Sequence, residues 1–246
     1  MIFQTENSFE IKEKILKSRV AILPIGAVEA HGPHLPLGTD NILAERLATI
    51  IAEHTEAFVL PTMPYGQVWS LKNFPGSLNI SNQTLISLLV DLGTSLYEQG
   101  FRVFAIINAH LGNSVALKEA ARILYDQVPN LKTLYLFYPD TSKVIAQVRE
   151  TESSHATYFH ACEIETSYML YLAEEHVDMK KAVTDIPKIP SSADVTPTPW
   201  EEFTSSAVLG DAKLATREKG RKIIEVAIEN IVMLIEGAKS EAFKTQ

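Results

Sequence analysis

Short apolar runs alternate with amphipathic segments along this chain. The runs that are apolar enough for buried strands lie at residues 20–25, 57–60, 102–107 and 131–138. Apolar residues recur at helical spacing, or polar residues cap a helix, over residues 8–18, 41–54, 83–98, 114–127, 140–150, 163–175 and 216–238. Strands that alternate with helices predict an α/β fold, in which a largely parallel sheet is covered by helices on both faces.

Local signals predict how some of these helices begin and pack. Ser81 is placed to cap the helix that follows it, and Asp40 stands where the N-cap of the 41–54 helix is expected. In the first helix, Ile11 and Ile15 lie one turn apart, and the apolar residues Phe9 and Leu16 flank the same side. We therefore expect all four of these side chains to contribute to one packed face.

Two segments lack a regular pattern. Residues 61–81 are rich in turn-forming residues and too long for a plain connection, and long loops in compact domains are often functional. Residues 177–207 carry four prolines and are predicted to be a lid or an interface arm. Neither segment has the composition of a linker, so we expect a single domain over residues 1–246.

Composition narrows the class of protein. The net charge is −8 and no run of Lys or Arg exceeds a pair, which argues against nucleic acid and anionic membranes as partners. Cys162 is the single cysteine, so an intrachain disulfide is excluded and a reducing compartment fits. The N-terminus does not resemble a signal peptide, and no apolar run approaches the ~18 residues of a membrane span. These features predict a soluble, cytoplasmic protein.

Three clusters of polar residues fall where a strand or a loop leads into a helix. They are Glu29/His31/His34/Asp40, Asn108/His110/Asn113 and His155/His160/Glu163/Glu165. Since the carboxyl ends of parallel strands lie at one edge of a sheet, we expect these clusters to meet in one crevice, where open α/β sheets bind ligands. Carboxylates and imidazoles are ligands that Zn²⁺, Mn²⁺ and Fe²⁺ accept.

The first cluster has a spacing that suits a metal site. Residues i and i+2 of an extended segment point to the same side, so Glu29 and His31 can face one metal centre. Asp40 follows after a loop rich in Gly and Pro, and its two oxygens can bridge two ions. Two ions ~3.5–4 Å apart can share a water, convert it to hydroxide near neutral pH and polarise a carbonyl group.

Each candidate also has an ordinary structural alternative. The alternatives are a surface or helix-face carboxylate for Glu29 and Glu165, a hydrogen-bonded structural histidine for His31, His34 and His110, and a helix N-cap for Asp40. The common position of these groups at one predicted sheet edge favours the metal site over these alternatives.

The first cluster lies within a longer motif. Residues 24–40, PIGAVEAHGPHLPLGTD, resemble the signature of the creatininase (creatinine amidohydrolase) family. Residues 108–113, NAHLGN, resemble the second motif of that family, and residues 160–167, HACEIETS, resemble the third. The turn at residues 74–77, FPGS, matches a weaker family feature, and the resemblance extends from residue 20 to residue 235.

This resemblance implies a three-layer α/β/α sandwich with a mostly parallel central sheet, usually in a homo-oligomer and often in a hexamer. It also implies an amidohydrolase that uses two divalent ions (Zn, Mn or Fe) and a metal-bridged hydroxide to cleave a non-peptide C–N bond of a small, often cyclic, amide. By motif, Glu29 and His110 bind one ion, His31 binds the other, Asp40 bridges both ions, and His160 acts as the proton shuttle.

The chain departs from creatininase itself in its second motif. Gly112 stands where creatininase has a glutamate ligand of the second metal, which leaves that ion one ligand short. Glu165 in the third motif is the candidate replacement, and Glu163 is the competing choice. Catalysis is assigned to His160 and Asp40.

The remaining departures concern the substrate. Leu71 replaces a histidine that many members carry, and the tryptophans that close over creatinine have no evident counterparts, since Trp69 and Trp200 are the only tryptophans. We therefore expect a small-molecule amide other than creatinine, oriented by Asn108, Asn113 or Ser77. The alternatives are a peptide-trimming or deformylating hydrolase in cofactor biosynthesis, and a non-catalytic metal-binding homologue.

Overall fold

A four-stranded parallel sheet lies at the centre of the computed structural model, which describes residues 1–244; residues 245–246 of the predicted domain lie outside the described residues. The strands follow the order β2-β1-β3-β4. They are β1 (Val20–Ile25), β2 (Phe58–Val59), β3 (Val103–Asn108) and β4 (Lys132–Leu136). A separate antiparallel pair is formed by β5 (Thr184–Asp185) and β6 (Gly210–Asp211).

Seven α-helices surround the central sheet in the described part of the chain. They are α1 (Ser8–Ser18), α2 (Thr39–Thr55), α3 (Asn82–Glu98), α4 (Ser114–Gln127), α5 (Ser142–Val148), α6 (Glu163–Leu172) and α7 (Arg217–Lys244). None of these helices is long and apolar enough to cross a membrane.

The central strands are buried on both faces, and this divides the structure into three layers. Val20 and Ile22 of β1 pack into a core with α2, α6 and α7, whereas Ala21 and Leu23 pack into a second core with α1, α3 and α4. Successive residues of a strand point to opposite faces, so an unbroken apolar run serves both cores. The predicted α/β/α sandwich with a parallel sheet is confirmed.

Two local expectations require correction. In α1, Ile11 and Ile15 are buried, but Phe9 is 81% and Leu16 is 70% exposed, so the packed face is narrower than predicted. Asp40 is not an N-cap, because α2 begins at Thr39 and Asp40 lies inside its first turn. The predicted cap at Ser81 is present, since its hydroxyl accepts a hydrogen bond from the Thr84 N–H at 3.1 Å.

The close packing of α6 against α7 fixes the position of α6. Gly220 of α7 approaches α6 so closely that a Cβ atom at this position would lie 1.8 Å from the Ser167 carbonyl oxygen. Lys219 is also buried, and its ammonium group pairs with the Glu163 carboxylate at the start of α6. These contacts place the first turn of α6 at the carboxyl edge of the sheet.

Candidate metal centre and active-site cavity

Six predicted side chains converge at the carboxyl edge of the sheet. They arise from the loop after β1, the first turn of α2, the residues after β3, and the start of α6 with the residues before it. All six are buried, with exposed fractions of 8% or less: Glu29, His31, Asp40, His110, His160 and Glu165.

Asp40 lies at the middle of this cluster, with one oxygen on each side. Its Oδ1 is 3.3 Å from His31 Nε2, and its Oδ2 is 3.2 Å from His110 Nδ1. Glu29 Oε1 is 3.2 Å from His110 Nδ1, and Glu165 Oε2 is 3.7 Å from His31 Nε2. The potential ligand atoms therefore form two triads that share the Asp40 carboxylate, Glu29/Asp40/His110 and His31/Asp40/Glu165. A third group of close ligand atoms, Glu29/His31/His160, does not include Asp40.

The three histidines of the cluster are oriented by main-chain carbonyl groups. The contacts are His31 Nδ1 to the Glu29 oxygen at 3.1 Å, His110 Nε2 to the Gln67 oxygen at 2.7 Å, and His160 Nε2 to the Ala30 oxygen at 2.7 Å. Since a carbonyl oxygen can only accept, the nitrogen in each contact carries the proton. In the neutral ring, the other nitrogen then presents its lone pair to the carboxylates, as a metal ligand must.

Buried opposite charges dominate the electrostatics of the cluster. Burial disfavours protonation of His31 and His110, but the neighbouring carboxylates outweigh this effect and raise the pKa of both imidazoles well above the usual value. Burial alone would raise the pKa of Asp40 and Glu165, yet the adjacent imidazoles hold both pKa values below the usual range. The carboxylates are therefore kept in the ionised form that binds cations.

The residues present fit a metal ion. His31 Nε2 and Asp40 Oδ2 are fully buried and lack a hydrogen bond of good geometry among the described residues. A buried polar atom that lacks a hydrogen bond lowers the stability of the fold by about 1–3 kcal/mol. Both atoms belong to residues of the triads, where a bound cation would provide the missing partner. Imidazole nitrogens together with carboxylate oxygens form a ligand set that suits Zn²⁺, Mn²⁺ or Fe²⁺.

The structure separates the two glutamates of the third motif. Glu163 accepts hydrogen bonds from the main-chain N–H groups of Glu150 and Thr151 and pairs with Lys219, outside the two triads. Glu165 instead faces His31. The strained φ of +47° at Ala161 bends the chain just before α6, so that both His160 and Glu165 reach the cluster.

Gly112 lies next to the hydrogen bond that orients His110. A Cβ atom at this position would lie 2.4 Å from His110 Nε2 and 2.5 Å from the Gln67 carbonyl oxygen. Any side chain at position 112 would therefore disturb the hydrogen bond that orients His110. The local packing is therefore specific to glycine and leaves no room for a glutamate side chain at this position.

A cavity of about 220 Å³ opens onto Glu29, Asp40, His110, His160 and Glu165. Apart from these side chains, its walls are mostly apolar and aromatic, with contributions from Val68, Leu71, Leu111, Val115, Phe137, Tyr158, Phe159 and Trp200. The reacting groups thus lie at the bottom of a small, largely apolar pocket, which is the usual form of a small-molecule site.

Trp200 is a cavity residue that sequence reasoning did not identify. Its ring lies 5.5 Å from the ring of His160, edge to face. Trp200 is forty positions away from His160, within the unpatterned segment, so no local signal connected the two residues. One of the two tryptophans of the sequence therefore lines the cavity.

Part of the segment predicted as a lid or arm covers the cavity. Trp200 packs on Tyr158 at 5.8 Å, and Tyr158 stacks on His155 at 4.1 Å. His155 Nε2 lies 3.2 Å from Asp194 Oδ2, so the 153–160 loop and the 186–203 segment, which contribute Tyr158 and Trp200 to the cavity wall, are joined to each other. His155, grouped with the third cluster in the sequence, belongs to this cover and is absent from both triads.

The residues predicted to orient the substrate hold the scaffold instead. The Asn108 and Asn113 amides bond to the main chain of neighbouring loops, and the Ser77 hydroxyl accepts from the Ala30 N–H at 3.0 Å. None of the three lines the cavity. Contact of these three residues with the substrate stays a prediction.

His34 supports the first turn of α6. Its Nε2 lies 2.8 Å from the Thr166 hydroxyl oxygen, while burial and the nearby charge of His31 lower its pKa to about 4. His34 is therefore neutral at physiological pH. It connects the first motif to the third without joining either triad.

A family model described as creatinine amidohydrolase, the creatininase family, matches residues 4–235. This chain belongs to the creatininase family. It is 30% identical over 225 residues to a creatinine amidohydrolase of Pseudomonas putida, covering 86% of each chain. It is 26% identical to a 3-dehydro-scyllo-inosose hydrolase of Thermotoga maritima over 95% of this chain and 82% of the relative. It is 27% identical to a mycofactocin precursor peptide peptidase of Mycolicibacterium smegmatis, over 83% and 79% of the two chains.

Solved creatininase structures have the same fold. A Zn-Zn form of a mutant creatininase superimposes with a TM-score of 0.86 at 28% identity, covering 96% of this chain and 97% of the other. A manganese form superimposes with a TM-score of 0.84 at the same identity and coverage. The predicted family and fold are confirmed, and the protein is an amidohydrolase of the creatininase family.

Proposed function

We propose that this protein is a metal-dependent amidohydrolase that cleaves a C–N bond of a small-molecule amide at a centre of two divalent ions. The observation that carries this proposal is the position of Asp40, whose two oxygens face separate triads of buried ligand atoms. A helix-capping or surface aspartate would not be expected to lie buried between two imidazoles, with its Oδ2 lacking a hydrogen bond of good geometry.

Each ion is assigned one triad. Glu29, Asp40 and His110 would hold one ion, and His31, Asp40 and Glu165 would hold the other, with Zn, Mn or Fe as the candidates. When bound, such ions lower the pKa of water toward neutrality and polarise the carbonyl group under attack. Glu165 thereby takes the place of the glutamate that Gly112 replaces.

His160 is assigned the proton transfer. Its Nε2 is fixed on the Ala30 carbonyl oxygen, while its Nδ1 faces the cluster, 3.6 Å from Glu29 Oε1. We assign Nδ1 as the atom that accepts a proton from the attacking water. The same nitrogen then delivers that proton to the leaving nitrogen as the C–N bond breaks, a role suited to imidazole near neutral pH.

The cavity walls determine the surroundings of the reacting groups. Leu71 and Trp200 contribute apolar surface to the cavity that also contains the charged groups. In such surroundings, charge that develops on the substrate oxygen is stabilised more strongly by fixed opposite charge than it would be in water.

The decisive experiment uses two glutamates that are two residues apart. Protein purified without chelators is analysed for metal per chain and for hydrolysis of a panel of small amides, as wild type, Asp40→Ala, Glu165→Gln and Glu163→Gln. We expect two ions in the wild type, one in Glu165→Gln, and loss of tight binding and of hydrolysis in Asp40→Ala.

Glu163→Gln is the matched control, because Glu163 is buried at the start of the same helix but lies outside the triads. It should destabilise the fold while keeping both ions. An Asp40→Ala protein that retains its metal and its activity would refute the proposed function.

A further inference from the structure

His34 is a buried histidine that belongs to neither triad, although it lies on the loop between His31 and Asp40. Its Nε2 is 2.8 Å from the hydroxyl oxygen of Thr166, a fully buried residue in the first turn of α6. Its Nδ1 makes no hydrogen bond among the described residues, so the imidazole is held through Nε2. Since Thr166 directly follows Glu165 in the chain, this contact joins the first motif to the turn that carries a ligand candidate.

The Thr166 hydroxyl also holds the bend that precedes α6. It donates to the Ala161 carbonyl oxygen at 3.3 Å. Because a hydroxyl has one hydrogen, it then accepts from the His34 Nε2–H. Ala161 has a φ of +47°, a left-handed conformation that residues other than glycine rarely adopt and that persists where the surroundings fix it. His34 thus supports a strained bend that could otherwise relax.

The other side of this bend holds a ligand candidate. The Ala161 N–H donates to Glu165 Oε2 at 2.5 Å. The same carboxylate oxygen lies 3.7 Å from His31 Nε2, inside the His31/Asp40/Glu165 triad. The main chain of Ala161 therefore fixes the oxygen of Glu165 that would face an ion, and the contacts of Thr166 fix that main chain.

The Glu29/Asp40/His110 triad has a separate support. His110 is oriented by the Gln67 carbonyl oxygen, at 2.7 Å. None of the described contacts that run from His34 to the bend reaches Glu29 or His110. Loss of the imidazole of His34 should therefore disturb the triad that contains Glu165 and spare the other triad.

We propose that His34 is a positioning residue, which acts through the Thr166 hydroxyl to fix Glu165 as a metal ligand. This inference rests on the proposed function, since it takes the two triads as two ion sites. His34 is a member of neither triad and does not line the cavity. It would thus set the affinity of one ion without contacting that ion or the substrate.

The test measures the two zinc affinities of the protein by competition with a chromogenic chelator. His34→Leu removes the donor, whereas His34→Gln keeps a side-chain N–H that can donate to the Thr166 hydroxyl. We expect His34→Leu to raise the dissociation constant of one ion by about 10–100-fold, as is typical when the support of a metal ligand is lost. The other ion should keep its affinity, and His34→Gln should restore most of the affinity lost in His34→Leu.

Two further comparisons keep the test decisive if His34→Leu does not fold. Thr166→Val removes the hydroxyl with little change of shape, and Thr166→Ser keeps it, so we expect only Thr166→Val to weaken one ion. Glu165→Gln identifies the site that is affected. Because His34 acts through Glu165, adding Thr166→Val to Glu165→Gln should not weaken the remaining ion further.

The outcomes separate this inference from the proposed function. Equal weakening of both ions in His34→Leu and Thr166→Val would indicate a general structural role, and unchanged affinity of both ions would show that the contact does not reach Glu165. Either result, with two ions bound to the wild type, overturns the inference and leaves the proposed function in place. A wild type that binds a single ion would overturn the proposed two-ion centre and this inference with it.

Discussion

Asp40 shows why the role of a single side chain depends on its neighbours. From the sequence it suits both a helix N-cap and a bridging ligand. The structure places it one position inside α2, where its oxygens point away from the helix N–H groups and toward His31 and His110. The helix begins two residues earlier than predicted, which removes the capping interpretation and leaves a carboxylate shared by two triads.

Gly112 gives a prediction at the same scale. Changing Gly112 to Ala places a methyl group against His110 Nε2 and the Gln67 carbonyl oxygen, so the hydrogen bond that orients His110 breaks. Loss of such a support typically weakens metal binding by about 10–100-fold. Competition with a chromogenic chelator measures the change.

Gly38→Ala is the control for this substitution, because no atom lies within 4 Å of a Cβ atom at position 38. It should leave metal affinity within about twofold of the wild type, since it touches neither triad. Unchanged affinity in Gly112→Ala would contradict the assigned role of the His110 contact.

At the scale of helices and strands, the sequence pattern correctly predicted those elements whose boundaries depend on local interactions. The boundaries of α1, β1 and α4 match the predicted ranges, because burial against a sheet imposes a clear period on the sequence. The carboxyl-edge rule for parallel strands placed Glu29 and His110 on one side of the fold. Neither rule required knowledge of distant contacts.

The cover of the cavity could not be predicted in the same way. The stack of His155, Tyr158 and Trp200 joins residues up to 45 positions apart, in segments without periodic apolar residues. Likewise, the choice between Glu163 and Glu165 depends on Lys219 of α7, which occupies one of them in an ion pair. Such contacts are properties of the tertiary structure and leave no local sequence pattern.

The packing of α6 on α7 gives a prediction with an internal control. Gly220→Ala drives a methyl group into the Ser167 carbonyl oxygen and should lower the free energy of unfolding by about 3 kcal/mol, since overpacked positions relax incompletely. Gly237→Ala lies on the same helix with no atom within 4 Å of its Cβ and should raise that free energy by about 1 kcal/mol. Denaturant unfolding of metal-free protein measures both, and equal effects of the two substitutions would contradict this packing.

For the whole molecule, the two hydrophobic cores and the cluster of buried ligand candidates differ in what stabilises them. The cores bury apolar side chains on both faces of the sheet, whereas the cluster buries three carboxylates at its carboxyl edge. Removing charges from water is costly unless they are paired, so this edge is the part of the fold that gains most from a bound cation. Homo-oligomeric assembly remains a prediction from the family resemblance.

Metal removal should therefore lower the stability of the entire protein. An ion that binds only the native state at 100-fold its dissociation constant contributes about 2.7 kcal/mol per site. For a chain of 246 residues this corresponds to about 8 °C in Tm. Calorimetry of zinc-loaded and chelator-treated wild type measures the difference in Tm, and added zinc should restore the higher Tm.

Asp40→Ala should show nearly the same Tm with and without zinc, because the carboxylate that both triads share is gone. A wild-type Tm that does not respond to chelation or to added zinc would show that the cluster is stable as a metal-free network of imidazoles and carboxylates.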